Sequence, residues 1–169
     1  MEEKIYIHYG HDHFDPNIMG VLKNSPEVRW SHWSKPEPCS GLWASPIDAE
    51  FGWKEWCEQE QFQLWGLDTS FKFKITKPES IYRVESKDDI MRMQDFVVPE
   101  QRDSYILTEQ WDRKYAASSI PLDFEELQRK GYRGLEVNMT KCPFVYSFLY
   151  GWDCDSILIW DPSIIVEIK

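Results

Sequence analysis

The sequence predicts one α+β domain in which several short strands alternate with a few helices, and three observations carry that prediction. Residues 4–9 and 70–75 alternate with a period of two and are rich in β-branched and aromatic side chains, the pattern of half-buried strands. Residues 120–131 carry start and stop signals of a helix: Asp123 as cap, Glu126 three residues on, Arg129 and Lys130 in the last turn, and Gly131 as the stop. No repeat or linker divides the 169 residues, and a domain of that size buries roughly 70% of the surface its unfolded chain exposes.

The elements follow in order. The first strand, 4–9, runs into the polar, turn-prone stretch from His8 to Pro16. This stretch holds three of the four histidines, His8, His11 and His13; the fourth is His32. Imidazole and carboxylate are common zinc and iron ligands, but neither an H-x-x-x-H helix nor a paired C-x-x-C completes a set. A metal site on His8, His11, His13 and Asp15, a ligand-free loop cluster, and a single functional His8 at the strand end all remain open. Residues 19–33 read as a short helix or irregular segment followed by a strand at 28–33, and Lys35-Pro36-Glu37-Pro38 as a stiff loop.

Residues 41–63 read as a short strand ending at Pro46 and an aromatic-rich helix, with Ser45 as cap and Pro46 near the first helical position. Phe51, Trp56 and Phe62, or Ala49, Trp53 and Trp56, fall near helical spacing, so packing against a core accounts for the stripe. Only Trp43 and Ser45, at the strand end, need another reason. Strand 70–75 stops at Lys77-Pro78, a strand follows at 81–84, and Ser86 with Asp88 and Asp89 starts a short helix. Residues 97–119 are an irregular helical or loop insertion. After the helix at 120–131, residues 132–137 form a strand whose Glu136 is expected to face solvent. A second aromatic run, 141–150, is compatible with a helix. Residues 157–160 are a buried strand by their continuous apolar run, and 164–168 the last strand.

Composition narrows the function classes. A net charge of −10 and nine tryptophans describe an acidic chain rich in large rings, which fill cores and line clefts. A long phosphate backbone meets no basic field here, so DNA is not an expected partner, whereas a small anionic ligand needs only a few local donors. Cys39, Cys57, Cys142 and Cys154 form no paired motif and read as reduced thiols. The first residues lack a signal-peptide pattern and no stretch approaches the ~18 apolar residues of a membrane span. A cytoplasmic protein without membrane contact is the expectation.

Taken in order, these pieces resemble the ADP-ribosyltransferase superfamily, in particular the diphtheria-toxin and poly-ADP-ribose-polymerase branch and phage-associated toxin domains. His8-Tyr9-Gly10 looks like that family's first strand ending in His-Gly. Residues 41–63 look like its Gly-Leu/Ile-Tyr-Phe-Ser strand and following helix. Residues 71–84 resemble its middle hairpin region, 123–137 its helix, turn and strand, and 155–164 its closing strand ending in Asp-Pro-Ser.

The resemblance implies split, packed antiparallel β-sheets with a few flanking helices around a cleft that binds NAD. It further implies that His8 hydrogen-bonds the adenosine-side ribose and Trp43 stacks on the nicotinamide ring. Tyr9, Gly10, Ser45 and Trp53 complete the NAD-binding set. A carboxylate near the ribose stabilises an oxocarbenium-like transition state. The position matching the family's glutamate is Ser156, so Asp155, Asp153 on the same strand face, or Glu136 in the preceding strand would supply the charge. Three functional expectations follow: ADP-ribosyl transfer to a macromolecule such as a protein, or NAD hydrolysis; a catalytically inactive binder of a ligand or protein; and a metal-binding protein using the histidine cluster.

Overall fold

The computed structural model describes residues 3–25, 34–104, 120–149 and 151–169, with side-chain surroundings left aside at 102–104. The expected strand at 28–33, His32, Tyr150 and the 105–119 part of the expected insertion lie outside the described residues. Seven strands, β1 (Ile5–Tyr9), β2 (Leu42–Pro46), β3 (Ser70–Ile75), β4 (Ile81–Val84), β5 (Gly134–Val137), β6 (Ser156–Ile159) and β7 (Ile165–Ile168), form one sheet. Their order is β4-β5-β6-β2-β1-β3-β7. All pairs are antiparallel except β4 with β5.

The expected two packed sheets are thus one hydrogen-bonded order here. Residues 71–84 also differ from the expected hairpin: β3 lies between β1 and β7, and β4 is at the far edge beside β5. Pro78 opens a short 3-10 turn, Pro78–Ser80, that carries the chain across rather than back.

Among the described residues four short helices accompany the sheet: α1 (Trp53–Glu60), α2 (Lys87–Arg92), α3 (Phe124–Arg129) and α4 (Val145–Phe148). Local chemistry sets the second and third. Ser86 accepts from the Asp89 N–H to start α2, and Asp123 accepts from the Glu126 N–H at 3.0 Å to start α3. Asn24 adds a cap no local pattern announces, donating to Asp123 and accepting the Phe124 N–H at 2.8 Å. Gly131, at φ +93, ends that turn.

Alternation sends side chains to two cores. Tyr82, Val84, Leu135, Val137 and Leu158 face α2, α3 and α4 with Phe124, Leu127 and Phe148. Tyr6, Leu42, Ala44, Phe73, Ile157 and Ile159 build the second core on the other side. Burying each Val, Leu, Ile or Phe side chain among them contributes about 1.5–3 kcal/mol.

Glu136 departs from its expected solvent-facing position. It is 2% exposed, because it points from β5 to the face opposite Leu135 and Val137, opposite Ile157 in register. There it accepts from the Tyr6 hydroxyl and from Arg83 Nε, each at 3.0 Å, and pairs with Lys4. Burial, with the Glu136 charge second, pushes the Tyr6 hydroxyl far up, so it stays a donor. Glu136→Ala leaves that buried donor unpartnered and is expected to cost about 1–3 kcal/mol, with Glu136→Gln milder. Urea midpoints of the two variants, read against wild type, check this order.

Candidate functional site

β1 and β2 share two register pairs, Tyr6↔Pro46 and Ile7↔Ser45, with the Ile47 N–H donating to the Ile5 carbonyl just past β2. Beyond them β1 continues along β3 to Tyr9, while β2 follows β6. Between the separating strands opens a cleft of about 830 Å³, within the range of about 300–1,000 Å³ common to small-molecule and cofactor sites. Ile7, His8 and Tyr9 form one wall and Trp43 with Ala44 the next. Trp53, Trp56, Phe62 and Gln63, the segment Gly151, Asp153, Cys154 and Ser156 at the entry to β6, and residues 35–38 with Ser25 complete the lining.

His8 fills the gap where strand pairing stops. Its Nδ1 lies 2.6 Å from the Trp43 carbonyl oxygen. A carbonyl only accepts, so Nδ1 carries the proton. Burial above all holds the His8 pKa below the ordinary histidine value, against the opposing pull of the Trp43 carbonyl. The neutral ring therefore presents a lone pair at Nε2, which sits 2.9 Å from Nδ1 of the exposed His11. His11 donates there, its ring stacked on His8 at 5.1 Å. A ligand hydroxyl can take the place of that exposed imidazole.

The aromatic stripe of α1 turns to the cleft, contrary to the expectation that it packs on a core. Among the described α1 residues only Cys57 is buried. Trp53 and Trp56 stack at 5.1 Å, with Phe62 edge-on to both. Two non-glycine residues with positive φ, Gln61 at 54° and Gln63 at 42°, bend the chain so that Phe62 comes back over the helix.

The helix start also shifts. Pro46 lies inside β2, and α1 begins at Trp53 after Gly52, because residues 42–46 are held by β6 and β1. Ser45 still caps it from a distance: its hydroxyl accepts the Trp53 N–H at 2.9 Å. Gly52 makes that approach possible, since a β-carbon there would stand 3.1 Å from the Ser45 β-carbon.

Of the residues nominated from the sequence, His8, Tyr9, Trp43, Trp53 and Asp153 share the cleft, while Gly10, Ser45, Glu136 and Asp155 are not among its lining residues. Gly10, at φ +104, donates its N–H to Thr69 in the turn after β1. Asp155 is buried, accepting from the Thr140 N–H and hydroxyl at 2.9 and 2.7 Å. Asp153 and Asp155 precede β6, which starts at Ser156, so they do not share a strand face: one lines the cleft and the other pins a loop.

Trp56, Phe62, Lys35 and Glu37 line the cleft without a functional signal in the sequence, and Ser156, the position that matches the family's glutamate, lines it too. The first four belong, in the sequence, only to an amphipathic stripe and a Pro-flanked loop. Cys154 also lines the cleft, but burial pushes its thiol up to about 12, so it is held protonated and is no nucleophile. Tyr9 is raised by burial first and by Glu55 and Glu58 after, and stays a phenol.

His13 binds Asp12 at 2.6 Å, and Asp15 caps the turn at Asn17. Among the described residues no three His, Cys, Asp or Glu side chains are grouped to hold a metal. Cys39, Cys57, Cys142 and Cys154 are free thiols, and no described helix is long and apolar enough to cross a membrane. Searches of protein-family models, curated proteins and solved structures each find no match for this chain.

The His8 environment sets a pH dependence. Because only the folded state disfavours the charged ring, the unfolded chain binds more protons in acid. Stability is then full above the ordinary histidine value and falls as pH drops below it. In His8→Gln that part of the acid loss, which begins as pH falls below the ordinary histidine value of about 6.5, disappears, as read from denaturant midpoints across pH. Nitrogen-15 spectra of the wild-type imidazole should show the Nδ1–H tautomer.

Proposed function

We propose that this protein binds NAD in the cleft between β1 and β2 and cleaves its nicotinamide–ribose bond, passing ADP-ribose to a macromolecule or to water. One observation carries the reading. Three of the strands that bear the resemblance, β1, β2 and β6, are consecutive in the sheet, and His8, Trp43, Asp153 and Ser156 on or beside them line one cavity.

Each wall has a role in that chemistry. The lone pair on His8 Nε2 accepts from a ribose hydroxyl. Trp43, tilted on Trp152 with ring centres 4.7 Å apart, and the Trp53–Trp56 stack offer ring faces to the two planar ends of the ligand. As the glycosidic bond breaks, its electron pair leaves with nicotinamide, which departs neutral, so no strong general acid is needed. Positive charge develops on the ribose, and the Asp153 carboxylate in the cleft is the group that stabilises it. The acceptor then bonds to the anomeric carbon and gives up its proton.

A second reading, NAD binding without turnover, is favoured by one specific arrangement. The carboxylates nearest the family's acid position are largely engaged: Asp155 by Thr140, and Glu136 by Tyr6, Arg83 and Lys4.

Calorimetry with NAD and nicotinamide release measured by chromatography separate these readings. The transfer reading expects NAD binding, weakened by Trp53→Ala, and release lowered about 100-fold or more by Asp153→Asn with binding kept. Binding with no release in wild type selects the second reading. Absence of NAD binding overturns both.

A further inference from the structure

We propose that Lys35 is an anion subsite of this cleft, placed to hold the phosphate groups of the ligand; the proposal rests on the NAD reading above. Among the described residues lining the cleft, Lys35 is the lysine or arginine, alongside the carboxylates of Glu37 and Asp153. It is half-buried, yet among the described residues its ammonium makes no ion pair or hydrogen bond. A partly desolvated ammonium without a partner is unfavourable, and an anionic ligand is the partner the cavity can admit.

The position is built rather than incidental. Trp152, 1% exposed, donates its indole N–H to the Ser34 carbonyl at 2.7 Å, fixing the backbone just before Lys35 to the residue just after Gly151. The Ser34 hydroxyl in turn donates to the Ile120 carbonyl at 2.5 Å. On the other side the chain is held by the Asn24↔Pro36 bridge and by the Glu37 N–H on the Lys23 carbonyl.

Gly151, at φ +87, leaves room for the lysine stem. A β-carbon there would collide with Lys35 Cε and lie 2.8 Å from Nζ. Glycine thus does two things at this point: it adopts the left-handed turn and lets Lys35 lie across the backbone into the cleft. In an acidic chain this cation gives the cavity a local preference that net charge would not suggest, and a charge-assisted bond to phosphate exceeds a neutral one.

The test compares wild type with Lys35→Gln in calorimetric binding of ADP-ribose, inorganic pyrophosphate and phosphate-free nicotinamide riboside. Lys35→Gln is expected to weaken ADP-ribose and pyrophosphate by roughly ten- to a hundredfold and to leave nicotinamide riboside unchanged. Gly151→Ala, checked by thermal melting for folding, should weaken the same two ligands by displacing the ammonium without removing it. Equal binding of ADP-ribose and pyrophosphate by wild type and Lys35→Gln overturns the subsite and leaves the NAD reading standing. Lys35-dependent binding of pyrophosphate with no binding of NAD or nicotinamide riboside keeps the subsite and removes the NAD reading. Binding of nicotinamide riboside alone, or of none of the three, overturns the subsite.

Discussion

The cleft depends on the brevity of one strand pairing. β1 and β2 share only two register pairs in the middle of a seven-stranded sheet, and a separated pair leaves backbone groups that must find other partners. The His8 imidazole meets part of that need by bonding the Trp43 carbonyl. The same bond decides which ring nitrogen is protonated and so what the ring can offer to a ligand. Structure and chemistry meet in one contact: the residue that fills the opening is also the residue whose lone pair faces it.

An opening in mid-sheet has to be offset elsewhere. Two cores on opposite sides hold the outer parts of the sheet, and β2 and β6 contribute side chains to both. The Glu136 cluster adds a polar tie, joining Lys4 and Tyr6 near β1 to Arg83 and Glu136 on β4 and β5. Its carboxylate is fully engaged, as a buried charge requires. The features that make Glu136 stable in place also remove it from the pool of free acids, which leaves Asp153 and Glu37 as the carboxylates at the cavity among the described residues.

The aromatic wall shows how binding surface arises from a failure to pack. Trp53 and Trp56 stack on each other rather than sink into a core, and Phe62, 42% exposed, closes over them. Rings held by one another keep their geometry while leaving faces available, which suits a site for planar groups. Cys57 alone anchors that helix inward among its own residues.

Most elements could be read from the sequence, because period-two alternation, Ser86, Asp123 and Gly131 act over a few residues. The fold class and the placing of His8 at a strand end belong to that local information. Glu136 and the α1 stripe were read the wrong way round, for a shared reason: periodicity reports that an element has an apolar face or a charged residue, but not what covers it. Which strands neighbour one another is a long-range matter as well, so β4 lies beside β5 rather than β3. The approach of Lys35 to Gly151, the cap that Ser45 lends to Trp53, and the tautomer of His8 each depend on residues many positions apart. The sequence by itself determined the strands, the caps and the chemical kinds of side chain available. Only the tertiary structure decided which of them face one another across the gap between β1 and β2, because that gap comes from pairing that stops, and where pairing stops is set by the whole sheet.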